Sequence, residues 1–249
     1  HIRVPSGHPQ WTLKAVPDHA PAITLAKEPE RQARGALQLT YKLEDDYGVT
    51  EAHARFAVRQ ANPEARPLYD APEIALSLPN ARTRNGIGQT TKDLSEHPYA
   101  GADVTLTLTA KDEAGNEGFS EPFAMKLPER LFVKPLARAL IEQRRNLAFD
   151  ANQKPLVLAA LKALTIAPET FTPETGQYLG LRSVANQLTE ASTDDALRAT
   201  VDSLWALAVL IEDGNITDVD KALRAAQDAL RQALERGASD EEIRKLTEN

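Results

Sequence analysis

Along the first half of the chain apolar side chains alternate with polar ones, and beyond about residue 130 they recur every three or four positions. In ALQLTYKL, Leu37, Leu39, Tyr41 and Leu43 fall on one face, and in DVTLTLTA, Val104, Leu106 and Leu108 oppose Thr105, Thr107 and Thr109. A period of two with β-branched residues on the outer face is the pattern of half-buried antiparallel strands. Shorter runs at Trp11–Val16, Ala22–Ala26, Ala52–Val58, Ile74–Leu78 and Phe123–Leu127 bring the count to about seven strands. Turn-rich segments separate them, which predicts an immunoglobulin or fibronectin type III β-sandwich, although the Cys and core Trp of antibody domains are missing. Trp11–Val16 and the following PDHAP, with Pro17 and Pro21 favouring an extended path, read as the end of an upstream β region and a stiff connector.

From Leu131 the period becomes helical. A first helix sets Leu136, Leu140, Arg144 and Leu147 on one stripe behind Pro135, and a second sets Val157, Leu161 and Leu164. A third starts at Thr172 as cap with Pro173 next, and carries Tyr178, Leu181, Ala185 and Leu188. A fourth, about Asp194 to Asp213, turns Leu197, Val201, Leu204, Trp205, Ala208 and Ile211 inward. A fifth is framed by the capping pattern TDVD at 217–220 and by Gly237. Each is apolar along one stripe, so the helices pack on one another, on the sandwich or on a partner, with an internal bundle favoured. The fold class is α+β by segregated domains: 1–19 the end of an upstream β region and linker, 20–128 the sandwich, 129–249 a bundle of five to six helices.

Composition narrows the function classes. The 249 residues carry a net charge of -7 with no block of Lys or Arg, and acids are spread evenly, 18 up to Arg130 and 18 beyond it. That is not the electrostatic footprint of a nucleic-acid binder. The absence of Cys removes disulfides, thiol nucleophiles and thiolate metal sites. No run approaches a membrane span, and no signal segment opens the chain. The chain opens at His1 without methionine and ends just after a helix-start pattern, SDEE at 239–242, so a piece of a longer protein is expected.

Enzyme motifs are missing: no G-x-x-x-x-G-K-[ST], no G-x-S-x-G and no H-E-x-x-H. GIGQTT at 86–91 lacks the third glycine of a dinucleotide loop and reads as a loop between strands. The five histidines, at 1, 8, 19, 53 and 97, have no metal-ligand spacing, and His53 alternates outward from Ala52 and Ala54. A pocket joining two carboxylates with His97 or His53 would be needed for acid–base chemistry. Arg144 and Arg145 are matched to Glu142 or an acidic partner as a surface pair. Gly180, inside the third helix, implies close approach of a neighbouring backbone.

KDEAGNEGFSE, at 111–121, does not fit a calcium loop of the EF-hand kind: with Asp112 first, Glu117 stands where glycine is needed and Phe123 where a carboxylate is needed. It fits a hairpin, in which Gly115 and Asn116 take the turn and Asp112 bonds the backbone ahead of it. LEDDYGV at 43–49 reads as the connection between the second and third sandwich strands, with Gly48 ending the strand from Leu37. In a sandwich these two connections share one end, which gathers Asp45, Asp46, Asp112, Glu113 and Glu117 into an acidic pole where calcium is the candidate ligand.

EDDYGV followed some 65 residues later by DEAGNEG resembles the paired motifs of bacterial immunoglobulin-like repeats in envelope proteins. The longer string of PDHAP (17–21), EDDYGV (44–49), LPERLFVKPLARALIEQRR (127–145), YLGLRS (178–183), IEDG (211–214) and ALRAAQDALRQALERGASDEEI (222–243) resembles an uncharacterised inner-membrane protein family of alphaproteobacteria, classed as a domain of unknown function. The resemblance implies hydrophobic segments before this region, a Gln- and Met-rich helical tail after it, and a position on the periplasmic side of the inner membrane. It brings no catalytic residues. The expected function is a non-enzymatic envelope scaffold or protein-interaction module, with an envelope protein or self-association through helices as partner. The alternative is a ligand-binding module for calcium, glycan or peptidoglycan at the loop pole or the interdomain groove.

Overall fold

Residues 17–32, 35–59, 62–166, 168 and 174–214 are described by the computed structural model. The expected strand Trp11–Val16, the Thr172–Pro173 helix start and the fifth helix lie outside them. The described residues fall into two compact units, one within the stretches 1–59, 71–94 and 102–128, the other within 60–70, 95–101 and 129–249. The class is α+β: among the described residues a curled, mostly antiparallel sheet and four α-helices.

The sheet unit holds β1 (Ala22–Leu25), β2 (Glu30–Arg31), β3 (Ala36–Val58), β4 (Glu73–Ala75), β5 (Thr83–Asp93), β6 (Asp103–Asp112), β7 (Glu117–Phe119) and β8 (Phe123–Lys126). β3 organises it. Its first half pairs with β1, β2 and β5, and its second half with β4 and β6. The alternation seen in the sequence sets the core, with Leu37, Leu39, Tyr41 and Leu43 buried from β3 and Val104, Leu106 and Leu108 from β6.

Two expectations need correction here. EDDYGV does not end a strand: β3 runs through it, with a register shift between Glu44 and Val49 on the β5 side. The Asp45 carboxylate accepts the Tyr47 and Gly48 amides, and Gly48 has φ 115, so the segment forms a bulge that bends the strand without releasing it. GIGQTT is not a loop either but lies in β5, paired with β3 along nearly its whole length. Its glycines hid the strand, and one of them explains itself. A Cβ on Gly88 would stand 2.4 Å from the Tyr41 ring, so the glycine leaves room for that ring to lie across β5. The Tyr41 hydroxyl then donates to the Ser77 carbonyl at 2.6 Å and lies 2.7 Å from Thr90 Oγ1.

The helical unit holds α1 (Pro135–Phe149), a 3-10 turn (Ala151–Gln153), α2 (Lys154–Ala163), α3 (Thr175–Glu190) and α4 (Asp194–Asp213). The stripes expected from spacing are the buried ones: Leu140, Arg144 and Leu147 on α1, Leu181, Ala185 and Leu188 on α3, and Leu197, Val201, Leu204, Ala208 and Ile211 on α4. The core also includes Leu68 from the 60–70 segment. Its N–H donates to the Ala148 carbonyl at 2.9 Å, and the Arg66 N–H donates to Asp150 Oδ1 at 3.0 Å. From the 95–101 segment Tyr99 packs on Phe149, ring centroids 4.7 Å apart, and donates its hydroxyl hydrogen to the Tyr69 carbonyl at 2.9 Å.

The end of α4 clasps the start of α1. Glu212 accepts the Val133 and Lys134 amides at 2.9 and 3.0 Å, so a carboxylate from a distant helix holds the backbone that leads into α1, whose cap residue Lys134 offers no side-chain acceptor. Lys134 Nζ donates to the Ile211 carbonyl at 2.7 Å, and Arg130 pairs with Asp213. Gly180 makes a close approach, though not to a backbone. A Cβ there would stand 2.8 Å from Leu207 Cδ1, so the glycine of α3 receives a side chain of α4.

Candidate functional site

In the sheet unit KDEAGNEGFSE is the hairpin between β6 and β7. Asp112, 2% exposed, closes it: Oδ1 accepts the Asn116 N–H at 2.8 Å, Oδ2 accepts the Asn116 side-chain amide at 2.8 Å, and Gly115 has φ 92. Desolvation pushes the Asp112 carboxyl up, but the Asn116 side chain and the amides of Asn116, Gly115 and Ala114 outweigh it and hold the group below the ordinary carboxylate value. The same Asn116 amide group donates to Asp18 Oδ2 at 3.0 Å. Asp46 Oδ2 lies 3.1 Å from His19 Nδ1, and that hydrogen bond lowers its pKa.

Asp18 is exposed, yet its pKa is raised, first by desolvation and then by repulsion from Asp112, Asp46 and Asp45. Three motifs far apart in sequence, PDHAP, EDDYGV and DEAGNEG, therefore meet at one acidic pole. Of the expected residues, Asp45, Asp46 and Asp112 share the pole. Glu113 instead pairs with Arg82 Nη2 at 2.7 Å, and Glu117 is exposed in the ladder opposite Lys111. Asp18, His19 and Asn116 were missing from the expected set. Asp45 Oδ2 serves the bulge, while Oδ1 is buried without a hydrogen-bond partner. Among the described residues no group of three or more His, Asp or Glu is arranged to hold a metal ion.

In the helical unit a cleft of about 230 Å³, counting its open mouth, lies among Glu129, Arg130, Phe132, Arg144, Arg145 and Trp205. Its cations differ. Arg145 does not pair with Glu142: its Nη2 meets Glu129 Oε2 at 2.8 Å and its Nε donates to the Ala100 carbonyl at 3.1 Å. Gly101, φ 76, gives the 95–101 segment its close approach to this pair, since a Cβ would stand 2.1 Å from Glu129 Oε2. Arg144 is not a surface residue at all, being 5% exposed. Its Nη2 donates to the Glu96 carbonyl at 2.6 Å, and its guanidinium lies 4.7 Å from the Trp205 ring centroid. Its Nε is buried with no partner. Desolvation lowers its pKa to about 10, against the upward pull of Tyr69, Asp202 and Glu96. The spacing had placed Arg144 on the buried stripe of α1, and that was the signal for this site.

The histidines named for acid–base work do not line the cleft, and among the described residues its lining includes one carboxylate, Glu129. His53 Nδ1 lies 3.3 Å from Glu73, outside the β3 ladder core as its alternation implied. His97 accepts the Tyr99 N–H at 3.2 Å, and burial followed by the Arg144 charge lowers its pKa, which favours a neutral ring. Among the described residues no helix is long and apolar enough to cross a membrane. No curated protein matches the chain. A family model described as Domain of unknown function (DUF4175) matches residues 1–249, and the chain belongs to that family.

Proposed function

We propose that the chain is a non-enzymatic scaffold or protein-interaction module of the bacterial cell envelope, standing on the periplasmic side of the inner membrane as part of a larger anchored protein. One observation carries the reading: the polar residues of its most distinctive motifs are engaged in tying the chain to itself. Asp18, His19, Asp46, Asp112 and Asn116 bond one another across the sheet unit, while Arg130, Lys134, Glu212 and Asp213 join α1 to α4. Such residues hold a shape and are not free for turnover. The helical unit also leaves Leu156, Ile166 and Leu179 more than half exposed, which suits association through helices.

The finer architecture belongs to the same proposal. β1, the first half of β3 and β5 would form one layer of an immunoglobulin-type sandwich, and β4, the second half of β3, β6, β7 and β8 the other; the partition of strand pairs supports this. In-cell crosslinking of the full-length protein tests the function. Recovery of a defined envelope protein or a homo-oligomer supports the module, and a monomer that retrieves neither counts against it.

A second reading, a calcium-binding pole, rests on the partnerless Asp45 Oδ1 and on the repulsion that Asp18 feels from three other carboxylates. Isothermal titration decides it. Calcium uptake with a raised melting temperature supports the site, and no heat with melting unchanged by a chelator removes it.

A further inference from the structure

The three arginines of the helical cleft are not equivalent. Arg130 has Asp213, and Arg145 has Glu129. Among the described residues Arg144 has no carboxylate within ion-pair distance, although it is the most buried of the three. A guanidinium offers five N–H donors in a flat fork, and here one of them, Nε–H, is out of reach of solvent and meets no acceptor. Burying a cation in this way opposes folding, and an apolar side chain of similar length would fill the same place on the α1 stripe at lower cost. The arrangement makes sense if something outside the described residues supplies the missing acceptor.

We propose that this cleft receives a carboxylate, with Arg144 as its anchor. A carboxylate is flat, matches the guanidinium fork with two parallel bonds, and completes charge compensation at Arg144. Phe132 and Trp205, packed edge to face with centroids 5.5 Å apart, give the cleft an apolar wall for the stem that carries the carboxylate. The enclosed part of the cleft is far smaller than the roughly 300 Å³ of an ordinary small-molecule pocket, so it admits only the acid group itself, with the stem in the open mouth, and excludes a nucleotide or a sugar chain. Entry requires the mouth to widen through side-chain rotamer hops, which are fast on the scale of binding. The acid is either a small free carboxylate or a glutamate or aspartate of an acidic peptide segment, and the chemistry recognised is the same. The inference does not depend on the scaffold reading.

Trp205 reports on the cleft, and the sequence has one other tryptophan, Trp11. In the full chain carrying Trp11→Phe, Trp205 emission is followed during titration with sodium acetate, with acetyl-Ala-Glu-Ala-amide and with its Gln counterpart, each against sodium chloride at equal ionic strength. A saturable change at roughly millimolar acetate is expected, weakened about tenfold or more in Arg144→Lys, which keeps the charge but loses the fork. A Glu peptide that binds at least as well as acetate, with the Gln peptide inert, supports the proposal and assigns the acid to a peptide; acetate binding without the peptide supports it and assigns a small free acid. A chloride-like response to every acid, or an equal response in Arg144→Lys, overturns it. Should Arg144→Lys fail to fold, the Nε–H resonance of Arg144 in the parent decides: it shifts on acetate addition if the proposal holds, and an unmoved resonance overturns it.

Discussion

The two units meet the same difficulty, charge beside a core, and resolve it oppositely. In the sheet unit several carboxylates are crowded at one pole, but Asp112 and Asp46 are drawn below their ordinary values because Asn116, the hairpin amides and His19 donate to them. In the helical unit one cation is buried with a donor left over, and desolvation lowers its pKa to about 10. Negative charge at the hairpin is structural, since removing its donors strands an acid. On the proposal above, positive charge at Arg144 is not required by the fold: the guanidinium holds the Glu96 carbonyl and the Trp205 ring but meets no carboxylate among the described residues.

The largest effect is expected where the pole is assembled by backbone contact. A Cβ on Gly118 would stand 1.6 Å from the Pro21 carbonyl oxygen, which no side-chain shift relieves. Gly118→Ala is expected to cost about 3 kcal/mol or more, in the range of severe overpacking. Gly176→Ala, in open space on α3, is the control and should raise helix stability by up to about 1 kcal/mol. Urea unfolding of the two variants measures both. Equal effects would mean that the 17–21 segment does not lie on β7.

Next comes the pair that sets the units against each other. Asn116→Ala removes both the donor to Asp112 and the link to Asp18, and should cost about 1–3 kcal/mol. Glu212→Ala leaves the Val133 and Lys134 amides at the entry to α1 without their acceptor and should cost about 1 kcal/mol, read as a lower melting temperature and faster amide exchange at residues 133 and 134. The smallest effect is the pH dependence of the pole. Asp112 and Asp46 have lowered folded pKa values, so their contribution is present above the unfolded carboxylate value, about 3.9, and is lost as pH falls through the folded values. Asp18, raised, has the opposite sign: its contribution is present below the unfolded value and lost as pH rises through the folded one. A net loss of stability on acidification is expected, reduced in Asn116→Ala; acid unfolding curves that superimpose would sink the Asp112 account.

Much of this architecture is written in the periodicities. The stripes of α1, α3 and α4 and the inward faces of β3 and β6 follow from spacing, because burial of one face is what the spacing encodes. β5 escaped because its core contribution is made by absence: Gly88 makes room for Tyr41, and a missing side chain has no period. EDDYGV reads as a connection in the sequence because Asp and Gly signal both turns and bulges, and the two differ only in whether the strand pairs again beyond them. That Leu68 and Tyr99 belong with the helices has no local signature, since each is a single apolar residue in an irregular segment. At the pole the sequence identified Asp45, Asp46 and Asp112, but not Asp18 and His19, because the connector's path decides what they meet. At the cleft it placed Arg144 on a buried stripe and also paired it as a surface residue, and only burial decides between the two.

The contrast between a structural anion and a surplus cation is tested most directly by the unfolding free energy of Arg144→Met, measured with the parent in urea with and without acetate. Without acetate the variant should equal the parent or exceed it by up to about 3 kcal/mol, and only the parent should gain stability when acetate is added. A variant that loses several kcal/mol while both chains ignore acetate would make Arg144 a structural residue like Asp112, and would contradict the account.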